Sequence, residues 1–324
     1  MPRRTQSRHG SLQFWPRKRA KRIYPRQVFP FIKDIKPLGF AGWKTGMTHI
    51  LVTDNNARSP TYGKSIVKPV TILDAPSLFV CGFRLYRHSP SGLVSLGESW
   101  TLKYPKGLEI VKKANPSRKE FDNNLIEKTD DIRLVVCTQP AKSGMRKRKP
   151  DLFELGIGGD DIKQKFDYVQ SILGKEINAR DIFKPGEFVD VAAVTKGHGY
   201  TGPVKRFGIR IQTRKDKQMH RHVGSIGPTT PRKVDWRVPQ AGQFGFFTRT
   251  EFSKRIVMID DDPKKVAPSG GFLGYGIIPE SFIMVEGSVP GSRKRLVRLR
   301  KAMRTAKFIP PDIKYVSLAS KQGV

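Results

Sequence analysis

Sulfur and negative charge are both scarce in this chain, and each shortage closes off a class of protein. Cysteine occurs only at Cys81 and Cys137 in 324 residues, with no CxxC spacing. A disulfide-stapled secreted fold or a cysteine zinc site needs more than this, so the pair reads as two buried thiols of a reducing cytosol or as one disulfide. Acidic residues number 28 against 61 Lys and Arg, a formal net charge of +33. A free-standing globule with that imbalance repels itself, so a bound anionic partner is the economical explanation. No run of eighteen apolar residues occurs, and the basic N-terminus is not followed by an apolar segment. The expectation is a soluble cytoplasmic protein with neither a membrane-spanning helix nor a secretory signal. The cations recur over the whole length rather than in one juxtamembrane cluster, which favours nucleic acid over a lipid surface.

What is present is organised around residues 188–259. The stretch opens on a strand pattern, Phe188-Val-Asp-Val-Ala-Ala-Val194, and closes on another, Lys254-Arg-Ile-Val-Met-Ile259. Between them, Lys196 to Lys233 holds ten Lys/Arg, three His, six Gly and a single acidic residue, Asp216. So long and so basic a segment has no core of its own and is expected to fold against a polyanion.

Residues Met1 to Arg26 carry nine Lys/Arg and no acid, interleaved with Phe14, Trp15 and Tyr24. They read as a tail, disordered when free, whose cations neutralise phosphates and whose aromatic planes stack on unpaired bases. From Pro37 to Tyr104, short apolar runs at 47–52, 68–73, 78–83 and 93–96 alternate with turn residues and predict an antiparallel barrel or sandwich. Gly39, Gly42 and Gly46 around Trp43 mark a close backbone approach at the first strand. A mixed block follows. Ser117–Lys128 is a short helix with Phe121 and Leu125 on one face, Ile132–Cys137 a buried strand, Lys142–Lys149 a basic turn, and Asp160–Leu173 a helix capped by Asp160 and stopped by Gly174. This block reads as an α/β insertion, with the β fold resuming at Phe188. Strands return at 281–286 and 295–300, joined by a Pro290-Gly291 turn. In the second, Arg295, Arg298 and Arg300 are expected near a charged partner while the alternate residues enter the core. Residues Thr305–Val324 read as an extended tail.

The central excursion excludes two chemistries. Beside His220-Arg-His222 the sequence offers only His198 and Asp216 as nearby ligands, with no cysteine among them, and Arg221 between the imidazoles would repel a dication. Ser225 and Thr229 lie near histidine in sequence, but no acidic residue is spaced to orient a base and no Gly-x-Ser-x-Gly elbow occurs. Each residue type does suit a nucleic acid. Gly197, Gly199, Gly202, Gly224 and Gly227 let backbone approach closely, and Lys205, Arg206, Arg210, Arg214 and Arg221 bring charge to phosphates. Hydroxyls and imidazoles, including Ser225, His198, His220 and His222, donate to phosphate and ribose. Pro228 and Pro231 stiffen the tip. The same reading takes in Arg8, His9, Arg17, Lys18, Arg19, Lys21 and Arg22 of the tail, and Lys196, Lys215, Arg232, Gln243 and Arg249.

Several motifs in order carry a resemblance: Lys196-Gly-His-Gly-Tyr-Thr-Gly202, Lys205-Arg-Phe-Gly208, His220-Arg221, Gly224-Ser-Ile-Gly227, Pro231-Arg232 and Ala241-Gly-Gln-Phe-Gly245. With His9-Gly-Ser-Leu12, Gly42-Trp-Lys-Thr-Gly-Met-Thr-His49 and Gly287-Ser-Val-Pro-Gly291, nearly the whole chain resembles the universal large-subunit ribosomal protein L-three family, of archaeal or eukaryotic type.

The resemblance implies a mainly β fold: a six-stranded translation-protein β-barrel at 37–102 and 186–304 with an α/β insertion at 103–185. To this it adds a basic RNA-penetrating extension at 196–250, an N-terminal tail at 1–36 and a C-terminal tail at 305–324. It also implies a structural, non-enzymatic part of the large subunit that binds rRNA early in assembly, beside neighbouring ribosomal proteins, and reaches toward the peptidyl transferase centre. No cofactor, metal, small-molecule substrate or membrane is implied. The tip, Gly227-Pro228-Thr229-Thr230-Pro231, has Thr229 where archaeal and eukaryotic members usually carry tryptophan; Trp236 would replace that indole only if the backbone turned back. Two competitors remain. An RNA-acting enzyme has only Asp260-Asp-Asp262 to offer as a carboxylate cluster, and a DNA-packaging or transcription module lacks any helix-turn-helix, zinc-finger or basic-zipper pattern.

Overall fold

The apolar runs of the first hundred residues fold as β1 (Gly39–Thr53), β2 (Ser65–Asp74), β3 (Leu78–Ser89) and β4 (Gly92–Trp100) in the computed structural model, which describes residues 10–102, 104, 121, 123–230, 232–304 and 308–320. The mixed block supplies α1 (Asn123–Glu127), β5 (Asp131–Cys137), β6 (Leu152–Gly156), α2 (Ile162–Ile172), β7 (Glu176–Ile177) and α3 (Ala179–Ile182). Then come β8 (Phe188–Val194), β9 (Gly197–Thr201), α4 (Pro203–Phe207), β10 (Gly242–Gly245), β11 (Thr248–Asp260), β12 (Phe282–Glu286), β13 (Leu296–Lys301) and β14 (Asp312–Val316). The chain divides into two units, Met1–Ile23 with Val194–Arg249, and Tyr24–Ala193 with Thr250–Val324. The fold is mainly β.

In the larger unit, hydrogen bonding runs β13-β8-β11-β12-β2-β1, and β1 pairs back onto β13, Gly39 opposite Arg300 through Trp43 opposite Leu296. Six strands thus form a circuit of pairing. Their side chains explain it: β8, β12 and β13 are rich in Val, Ile, Leu and Phe and buried on both faces, so no polar face is left to water. Phe40, Trp43, Ile50, Ile72, Leu73 and Phe282 are essentially unexposed. Each such side chain contributes on the order of 1.5–3 kcal/mol of burial. Gly42 is required where the strands draw together, because a Cβ there would stand 2.8 Å from the Asp74 carbonyl oxygen.

A second sheet, β4-β3-β5-β6 with β7 on β3, forms the mixed block. Phe166 of α2 meets Phe83 of β3 edge-on at 5.7 Å. Arg84 on β3 reaches Glu98 of β4 and Glu154 of β6 at 2.7 Å each, and Arg133 on β5 pairs with Asp131 at 2.9 Å. Like most exposed pairs these add little individually; the Arg84 pairs link β3 to β4 and to β6, while Arg133–Asp131 lies within β5. Cys81 and Cys137 are free buried thiols, as the first of the two sequence readings had it.

Four expectations are revised. The cap of α2 is Asp161, whose carboxylate accepts from Lys163 N at 3.0 Å, one residue beyond Asp160; Gly174, at φ +78, follows the helix as expected. Of the expected 117–128 helix, residues 121 and 123–128 are described, and the helix takes only Asn123–Glu127 of them. The C-terminal stretch contains a strand: β14 pairs with the outer half of β1, and Ile313 turns inward beside Val52. Its five residues are too short, and too mixed in polarity, to stand out from a tail.

The β13 arginines, finally, lie inside the protein. Arg298, 3 % exposed, donates to the carbonyls of Pro25 (2.8 Å) and Glu154 (2.5 Å), with its guanidinium 4.5 Å over Phe153. Burial pulls its pKa down to about 10, so it remains charged at neutral pH. Arg300 meets Asp190, itself unexposed, at 3.0 Å and donates also to the Val28 carbonyl. Residues 25–28, which the sequence reading placed in the N-terminal tail, cover this face of β13, and alternation alone does not reveal that.

Candidate nucleic-acid interface

The smaller unit is built on few apolar residues. β9 and β10 pair as a short ribbon, Thr201 opposite Gly242 and Gly197 opposite Gly245. Pro203 starts α4 at a position where no N–H is needed, and Gly208 ends it in the left-handed region at φ +67. From 196 to 241, Pro203 is the only buried residue among those described.

In place of a hydrophobic core, arginine packs on aromatic rings. The Arg17 guanidinium lies 4.1 Å over Phe207 and donates to the Arg206 carbonyl at 2.6 Å. Arg206 donates to the carbonyls of Gln243 (3.1 Å) and Gln240 (2.8 Å), tying α4 to the returning chain. Arg249 sits 4.6 Å over Phe14 and 5.0 Å over Phe247. Trp15 meets Trp236 edge-on at 4.9 Å, and Ala20 N donates to the Phe246 carbonyl at 2.8 Å. Desolvation lowers the pKa of Arg17, Arg206 and Arg249, with neighbouring Arg206 and Arg249 adding to it at Arg17. Each such contact contributes about 0.5–1 kcal/mol when exposed and more when desolvated.

The residues expected to bind nucleic acid therefore fall into two sets. Lys18, Arg19, Lys21, Arg22, Lys196, Lys205, Arg210, Arg214, Lys215, Arg221, His222, Ser225 and Arg232 are exposed, as are Gly227, Pro228, Thr229 and Thr230 of the tip. Arg17, Arg206, Gln243 and Arg249 are half-buried and engaged inside the unit; Gln243 donates to the Gly245 carbonyl at 3.0 Å. His198 is exposed but stacks on Phe244 at 5.2 Å, and the half-buried His220 accepts at its carbonyl from Gln212 N. Arg8, His9 and Pro231 lie outside the described residues. Phe14 and Trp15, read from the sequence as base-stacking planes, are occupied by Arg249 and Trp236. The signal for this was the interleaving of aromatic and basic residues in both segments, which fits intrachain packing as well as base stacking. Trp236 spends one edge on Trp15, with Arg237 5.3 Å over its ring.

Among the described residues, no group of three or more His, Cys, Asp or Glu could hold a metal ion. Asp260 accepts from the amides of Asp261 and Asp262 and pairs with Arg180 at 2.9 Å and with Lys265, so the carboxylate triplet is a turn held by cations. No described helix is long and apolar enough to cross a membrane.

Cations that are unpaired among the described residues, set on glycine-rich backbone, give a surface whose chemistry suits a polyanion. Sequence comparison then supplies the family. The family model described as Ribosomal protein L3 matches residues 1–323. The large ribosomal subunit protein uL3 of Methanopyrus kandleri is 46% identical, covering 98% of this chain and 91% of its own length. That of Methanothermobacter thermautotrophicus is 44% identical over 100% of both, and that of Methanococcus vannielii 42% identical over 99% of both. The chain belongs to the ribosomal protein L3 family, as its motifs predicted.

Proposed function

We propose that this chain is a structural constituent of the large subunit of cytoplasmic ribosomes, which binds rRNA early in assembly and extends its 196–250 segment toward the peptidyl transferase centre. The observation that carries the reading is the run of cations Lys196, Lys205, Arg210, Arg214, Lys215, Arg221 and Arg232, all exposed and none in an ion pair among the described residues. Phosphate is the ligand that such a surface fits, and Arg can grip it through two parallel bonds. Family membership supports the ribosomal setting. The six-strand circuit corresponds to the translation-protein barrel, with 103–185 inserted and the two tails outside it. Neighbouring ribosomal proteins complete its surroundings. Its role is architectural, so no side chain is given a chemical step.

The test is crosslinking within assembled subunits, with Arg210, Arg214 and Arg221 changed together to Ala. The expected result is rRNA crosslinks concentrated in 196–245 of the native chain and a lowered yield of subunits that retain the variant after a high-salt wash. Normal yield in cells carrying only the variant, or an absence of crosslinks in that segment, would overturn the reading.

A further inference from the structure

A second group of unpaired cations lies in the larger unit, where three turns converge. The first is the basic turn 142–149. Lys142 pairs there with Glu176, and Lys147 with Asp151, while Arg146, Arg148 and Lys149 are exposed and without an ion pair among the described residues. The second is 268–278, Pro-Ser-Gly-Gly-Phe-Leu-Gly-Tyr-Gly-Ile-Ile, which contains no charged residue and leaves Gly270 and Gly274 exposed. The third is the turn before β13, where Arg293 and Lys294 point into solvent.

Convergence is set by buried groups. Asp74, unexposed at the end of β2, accepts through Oδ2 from the Tyr275 hydroxyl at 2.5 Å and from Gly144 N at 3.2 Å. One carboxyl thereby ties the glycine loop to the basic turn. Gly144 packs so tightly that a Cβ there would collide with the Ile277 carbonyl. A Cβ on Gly274 would stand 3.3 Å from the Arg293 guanidinium, so the third turn adjoins the second. Lys294 is held at φ +66, a region an L side chain rarely adopts, by the bond from its own N to the Lys44 carbonyl. The backbone of the turn is therefore set at Lys294, and both side chains reach solvent.

We propose that these three turns form a second RNA-binding surface, separate from the 196–250 segment, which takes the sugar-phosphate backbone of a helical rRNA segment. This rests on the rRNA-binding reading and adds a surface to it. Exposed glycine backbone lets phosphates come close, and five free cations supply the charge. The exposed side chains of Leu273 and Ile277 suit the wide, shallow minor groove of A-form RNA, where ribose faces are accessible. An acidic protein partner would meet the same five cations, and the experiment below separates it from RNA.

The experiment uses the full chain and a large-subunit rRNA transcript. Binding is followed against salt, and backbone protection is mapped by hydroxyl radicals. For the variant with Arg146, Arg148, Lys149, Arg293 and Lys294 changed to Ala, the expected result is the loss of one discrete protected segment, with crosslinks from 196–245 retained. The log–log salt slope should become shallower by about 4. Tyr275→Phe, which keeps every cation but unties the loop from Asp74, should weaken protection of the same segment at a temperature where the variant remains folded, with crosslinks from 196–245 retained. An unchanged slope and footprint in the five-fold variant overturns the second surface while leaving the first intact. Intact rRNA binding with loss of a co-purifying ribosomal protein would assign the surface to protein and overturn it too. If the native chain fails to bind the transcript, the underlying reading falls first.

Discussion

The two units solve the problem of holding a chain together in opposite ways. The smaller spans 1–23 and 194–249, with twenty Lys/Arg against two acidic residues; the larger has forty-one against twenty-six. In the larger, strands buried on both faces do the work, and part of its positive charge is neutralised in pairs such as Arg300–Asp190 and Arg255–Glu286. In the smaller, no ion pair occurs among the described residues, and arginine lies on aromatic rings or carbonyl oxygens. A cation so placed is ordered without being neutralised. Positive charge thus remains available along the rest of the segment, whereas a carboxylate partner would have cancelled it. The lesson is that arginine counts alone do not identify contact residues: Arg206 and Arg210 are four apart in sequence, yet one supports the segment and the other is free.

This contrast can be broken most severely in the larger unit. Asp190→Ala leaves the buried Arg300 without its partner and strips the amides of Ser253 and Met303 of an acceptor. The expected loss is about 3–5 kcal/mol in urea unfolding, because an unpaired buried charge costs more than the pair contributed. A loss under 1 kcal/mol would show that water reaches Arg300.

The pH dependence of stability gives the next largest effect. Burial raises the pKa of Asp74 to about 6, against hydrogen bonds from Tyr275 and Gly144 that lower it. A carboxyl raised above its unfolded value stabilises the fold fully below about pH 4, and that contribution is lost as pH rises through about 6. Two pKa units correspond to about 3 kcal/mol at most. Glu176 runs the other way: burial opposes ionisation, but hydrogen bonds from Lys142, Ser77 and Gln139 hold its pKa down at about 2. Its stabilisation is present above pH 4.5 and is lost as pH falls toward 2. Wild type measured against Asp74→Asn should show a relative decline confined to pH 4–6.5, and parallel curves across that window would remove Asp74 as the source.

The smallest change separates the two kinds of arginine within the smaller unit. Arg206→Ala removes two carbonyl bonds and should cost about 1–2 kcal/mol. Arg210→Ala or Arg214→Ala should fall within about 0.5 kcal/mol of wild type. Native-state hydrogen exchange at Gln243 and Phe246 would register the first and not the others; equal protection in all three variants would erase the distinction.

Much of the fold was legible. Nine apolar runs became strands close to where alternation and turn residues put them, since a strand buried on one or both faces must declare itself in the sequence. Asp312–Val316 was not, because a short edge strand needs only a few inward residues and its pairing comes from β1. The burial of Arg298 and Arg300 was hidden for a different reason. Its cause is a covering segment some 270 residues away, and no local pattern reports that. In the candidate interface, composition pointed to the right segment. It could not say which guanidiniums were free, because ring contacts between 14–17 and 206–249 are long-range and leave no periodicity.

Pairing of β1 with β13 has a consequence for biosynthesis. Translation delivers residues 39–53 before 296–301, so the first strand waits for its closing neighbour while all of the intervening chain is made, and the cationic 196–249 stretch leaves the exit tunnel meanwhile. A nascent chain thus passes through a stage with an open hydrogen-bonding edge and an unshielded polycation together. Escort by a chaperone, or delivery straight to RNA, would have to act within that window, before residue 301 is free.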